Sequence, residues 1–96
     1  MKYLQPDNTI DVINPSLLAE YELFFGPILP GCEPLVLAAT RTTDILMALG
    51  LAQSKGWCRK NSWDNPLPDG YSEIVFGSLR YKICILTCIT PKPVVD

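Results

Sequence analysis

Histidine is missing from this chain. Its absence removes the side chain that most often acts as a general base near neutral pH, and the usual partner of a serine or cysteine nucleophile. It also removes one of the common zinc ligands, and the four cysteines include no Cys-x-x-Cys pair to compensate. Charge is sparse: 19 % of residues are charged against 48 % apolar, a globular rather than a disordered balance. No basic tract is dense enough to follow a phosphate backbone, so nucleic acid is not an expected partner. The six glycines are scattered and form no phosphate-cradling loop. The longest apolar stretch, residues 35–52, is interrupted by Arg41 and Asp44, which argues against a membrane span. Lys2 is followed by Pro6 and Asp7 rather than by an apolar run, so no secretory signal is read. A soluble cytoplasmic protein without cofactor or metal is the expectation.

What is present fits one domain, residues 1–96, with a single modest core. Seven of the nine prolines punctuate the chain in clusters at 27–34, 66–68 and 91–93. Net charge is −2, with an acidic half up to Ala52 and a mildly basic remainder. Cys84 and Cys88 cannot bridge each other within a strand. Four residues of strand span ~13 Å, whereas a disulfide holds its Cα atoms within about 7 Å. Reduced thiols in the cytosol follow.

The last strand candidate, residues 81–90, is apolar on both faces. Tyr81, Ile83, Ile85, Thr87 and Ile89 alternate with Cys84, Leu86 and Cys88. Such a strand is either the centre of the core or covered on one face by another molecule. Residues 71–76 read as its hairpin partner, joined through Gly77-Ser78 as a two-residue turn. Near the start, Pro6-Asp7-Asn8 suits a tight turn between short strands at 2–4 and 9–13. Asn14 and Pro15 then read as N-cap and first residue of a helix that Gly26 and Pro27 close. Leu17, Leu18, Tyr21, Phe24 and Phe25 form its apolar face.

Residues 35–40 suit either a buried strand or a helix, and Pro34 with two alanines favours helix. A further helix is expected over 44–55, capped by Thr42 or Thr43 and closed by Gly56. Ile45, Leu46, Leu49 and Ala52 form one stripe, yet Met47, Ala48 and Leu51 make the other side apolar too. Residues 57–70 read as a long polar loop. The fold class expected is α+β, with N-terminal helices packed on a small antiparallel sheet centred on the C-terminal hairpin.

Within that loop Trp57 and Trp63 bracket Arg59 and Lys60, and tryptophan and arginine are enriched at binding hot spots. The alternative is that both indoles fold back to seal the core. Cys58 precedes two cations, which favour a thiolate, but no partner for a nucleophile is identifiable. Asp64, Asp69 and Glu73 match no calcium loop. The expected function is non-enzymatic contact with other proteins, or with further copies of itself, as a subunit of a larger assembly such as a phage virion or tail. Trp57, Arg59, Lys60, Trp63, Met47 and Leu51 are the nominated contact residues. A small phage-encoded inhibitor of a host enzyme or defence complex is the alternative, and a cysteine enzyme using Cys58 a second one.

Overall fold

Strand β4 (Tyr81–Thr87) runs through the interior of a four-stranded sheet, which explains its two apolar faces. The computed structural model describes residues 3–27 and 31–88. Ile89 and Thr90 of the expected strand, Lys2 of the expected hairpin and the 91–93 proline pair lie outside them. Preceding β4 in the chain are β1 (Thr9–Ile13), a 3₁₀ segment (Pro15–Glu20) leading into α1 (Tyr21–Phe25), and β2 (Leu35–Val36). Next come α2 (Thr42–Ala48), α3 (Lys55–Lys60) and β3 (Gly70–Phe76). The strand order is β2-β1-β4-β3.

The chain is therefore α+β, but its sheet is mixed rather than antiparallel and its first element is a strand. Strand β1 pairs in parallel with both β2 and β4, and only β3 and β4 are antiparallel. Leu35 and Val36 lie opposite Val12 and Ile13, so the segment that favoured helix starts as a two-residue strand and is irregular over 37–40. Pairing with an apolar neighbour outweighs the helix preference of the alanines that follow.

Register fixes the two faces. Ile10, Val12, Ile83, Ile85 and Phe76 point to one side, where Ile45, Leu46, Leu49, Cys58 and Leu67 complete the main core. Ile13 and Leu86 point to the other and meet Tyr21, with Leu17 and Phe25 packed against them. Leu18 and Phe24 stay exposed although the sequence pattern put them on the same apolar face. The 3₁₀ turn explains this: with three residues per turn it rotates the stripe relative to an α-helix. Asn14 caps the segment as expected, its Oδ1 accepting from the Ser16 amide at 2.9 Å.

The helix expected over 44–55 ends early. Gly50 adopts φ +72°, and the amides of Leu51 and Gly50 bond back to the carbonyls of Leu46 and Met47. That is a Schellman stop, a job glycine does without the Cβ penalty of other residues. The start also shifts: Asp44 accepts from the Thr40 and Arg41 amides, both at 3.1 Å. Gly56 closes nothing, because it sits inside α3, whose N-cap Ser54 accepts from the Trp57 amide at 3.0 Å. Residues 57–60 are thus helical rather than part of a loop.

The β3–β4 hairpin has four loop residues instead of two, since Phe76 pairs with Tyr81. Gly77 and Arg80 both take positive φ to close it. At the N-terminus the turn over residues 5–8 forms, but the expected hairpin shrinks to one bridge between Leu4 and Ile10. None of the four cysteines forms a disulfide.

Candidate functional site

The nominated contact residues separate into two groups. Met47, Arg59 and Lys60 are exposed, the last two in the final turn of α3, where cations suit the helix dipole. Trp57, Trp63 and Leu51 are partly buried against the main core. Both indoles stand edge-on to Phe76, with centroids 6.1 Å away for Trp57 and 4.8 Å for Trp63. Trp63 is held there by its backbone. Its amide bonds the Cys58 carbonyl at 2.7 Å, and its own carbonyl accepts from the Thr42 hydroxyl. Cys58 is fully buried, so its sulfur is remote from any substrate approaching along the surface.

Beside this region Arg41 and Asp64 form an ion pair at 2.7 Å, and Thr43 donates to the same carboxyl oxygen at 2.8 Å. The Arg41 and Thr43 hydrogen bonds hold the Asp64 carboxyl below the usual carboxylate range. Lys55, Arg59 and Asp44 complete the rim of this polar recess. Asp64 is paired with Arg41, while Asp44 accepts from the Thr40 and Arg41 amides.

The second sheet face carries a cluster that the sequence reading missed. Asp11, Cys84 and Glu73 lie in one row across β1, β4 and β3. Asp11 is only 6 % exposed, and one of its carboxyl oxygens accepts from the Tyr21 hydroxyl at 2.6 Å and the Gln5 amide at 2.7 Å. Tyr71 donates to Glu73 at 2.6 Å, and Lys82 approaches the other Glu73 oxygen at 3.6 Å.

Tyr21, Tyr71, Cys84 and Glu73 are each driven towards one protonation state. Burial, and then the hydrogen bond to Asp11, push the Tyr21 phenol far above its usual value. Burial, with hydrogen bonds to Cys84 and Glu73, does the same to Tyr71. Burial raises the Cys84 thiol, with the Asp11 and Glu73 charges adding to it, while the Tyr71 bond holds Glu73 low. The thiol therefore stays protonated near neutrality and is a poor nucleophile. The two phenols stay donors and Glu73 stays charged, so these groups hold their hydrogen bonds near neutrality. A signal was present: Asp11 is a lone carboxylate between Ile10 and Val12. Counting it among the acids of the N-terminal half hid its place on a central strand.

A third feature is apolar. Leu18, Leu23 and Phe24 are 44 %, 83 % and 56 % exposed. Leu23 and Phe24 border a groove whose far side is Leu86 and Gly70, the first residue of β3. Strand β3 is an edge of the sheet, and its Tyr71 and Val75 are also about half exposed, at 46 % and 49 %.

Among the described residues no three His, Cys, Asp or Glu side chains converge as metal ligands, and no helix is long and apolar enough to cross a membrane. Comparison with protein families, curated proteins and solved structures finds no match.

Proposed function

We propose that this protein is a non-enzymatic contact subunit that joins other chains through α1 and the β3 edge. The supporting observation is that Leu18, Leu23 and Phe24 are exposed, and that Leu23 and Phe24 share a groove with Gly70, the first residue of the seven-residue edge strand. Leucine and phenylalanine at these exposures gain little from their own fold, so their apolar area is available to a partner. Strand β3 contains no proline, and its edge amides and carbonyls can extend the sheet. Helix and edge meet at Gly70, so one partner can cover both.

Size-exclusion chromatography with light scattering on the purified chain tests this. A contact subunit self-associates as concentration rises, and the double variant Leu23→Ser/Phe24→Ser returns it to monomer. Both side chains are mostly exposed, so the variant keeps its stability to within about 0.5 kcal/mol per site. A chain that remains monomeric and soluble at every concentration would move the reading to the small inhibitor.

A further inference from the structure

We propose that the cavity floored by Asp11 binds a cationic head group, an ammonium or a guanidinium. Asp11 is more than nine-tenths buried on an interior strand. Buried carboxylates normally face a cation or a metal. Here the two hydrogen-bond donors, Gln5 and Tyr21, are neutral and share one carboxyl oxygen. Among the described residues the ion pairs are Arg41–Asp64 and Lys82–Glu73, and neither reaches Asp11. Lys82, the basic residue on this sheet face, is engaged by Glu73.

The cavity itself has the matching character. It measures about 200 Å³ and is lined by Asp11, Gln5, Tyr21, Phe25, Pro27 and Cys32. Among the described lining residues none is basic. The Tyr21 and Phe25 rings lie 4.9 Å apart in a tilted pair, and ring faces attract ammonium and guanidinium groups. Pockets for whole small molecules run from about 300 to 1,000 Å³. This one therefore accommodates a head group and a short stem, with the remainder of the ligand outside. The same chemistry is carried by a free polyamine and by a lysine or arginine side chain of a partner protein.

Titration of ¹⁵N-labelled protein by NMR distinguishes the two sources. The probes are putrescine and agmatine, and the peptides acetyl-Gly-Gly-Lys-Gly-Gly-amide and its arginine and norleucine counterparts. The cationic probes should shift the amides of Gln5, Asp11 and Cys32 saturably, and the norleucine peptide should not. Binding at least tenfold tighter for the lysine or arginine peptide than for the diamines assigns a partner side chain. The reverse order assigns a free amine, and comparable affinities assign the head group alone. Asp11→Asn keeps an acceptor for Tyr21 and Gln5 but removes the charge, and should weaken binding at least tenfold. Cys32→Trp, on a partly exposed loop position, fills the cavity and should abolish binding even if Asp11→Asn does not fold. Absence of saturable shifts with every cationic probe, or unchanged binding by a folded Asp11→Asn protein, would overturn the proposal.

Discussion

Replacing Trp63 by alanine separates its structural role from any role in contact. The substitution spares the backbone bonds to Cys58 and Thr42, so it reads the indole alone. Trp63 is partly buried. Burying ~100 Å² of ring at about 25 cal/mol/Å² gives roughly 2.5 kcal/mol. Its edge-on contact with Phe76 at 4.8 Å adds a further contribution, about 0.5–1.5 kcal/mol for such pairs. The expected loss is therefore about 3 kcal/mol, the lower end for tryptophan-to-alanine changes in cores. In a domain of this size that lowers Tm by roughly 12–24 °C. Urea denaturation followed by circular dichroism measures the loss. A double-mutant cycle with Phe76→Leu isolates the ring pair. A Trp63→Ala protein destabilised by less than about 1 kcal/mol would refute the packing argument and return Trp63 to the exposed contact surface.

Three further outcomes follow from the structure. Gly50→Ala meets no atom within 4 Å, so its effect is backbone strain at φ +72°; a loss of about 1 kcal/mol in urea unfolding is expected. Among the described residues the buried Ser72 hydroxyl has no hydrogen-bond partner. Ser72→Ala should be neutral or raise stability by up to about 1 kcal/mol, and a clear loss would reveal an unseen acceptor or donor. The Tyr21 phenol is raised in the folded state, so its contribution is fully present below the unfolded value near 10 and is lost as pH rises above it. Alkaline unfolding above about pH 10 should therefore be less steep in Tyr21→Phe, and an identical slope would show that Tyr21 titrates normally.

The legible parts of this fold were those set by local chemistry. Asn14-Pro15 announced the start of the 3₁₀ segment. The double apolar face of β4 allowed an interior strand or one covered by another molecule, and the sheet places it in the interior. What stayed hidden depended on distant partners or on one dihedral angle. Leu35 and Val36 become strand because β1 lies beside them. Gly50 ends α2 inside an apolar stretch whose composition continues as a helix. Trp57, Arg59 and Lys60 were recognised as a group, but the helix that carries them begins at Lys55 after the cap Ser54. The place of Asp11 between Ile10 and Val12 was a signal, but its partners were not legible, because Tyr21 and Gln5 meet it only after the chain turns back over the sheet.

The place of β4 between β1 and β3 also dictates when the molecule can assemble during synthesis. Thr9 is opposite Lys82 and Ile13 opposite Leu86, so the pairing that joins the two halves of the sheet spans most of the chain. Until Tyr81–Thr87 has left the ribosome, Ile10 and Val12 lack the neighbours that bury them, and β3 has no strand to join. Local contacts can form early around α2 and α3, but the sheet closes last. Such non-local topology slows folding relative to helical domains of similar length. Until β4 emerges β1 has only the two-residue β2 to pair with, so its apolar residues stay open to wrong partners.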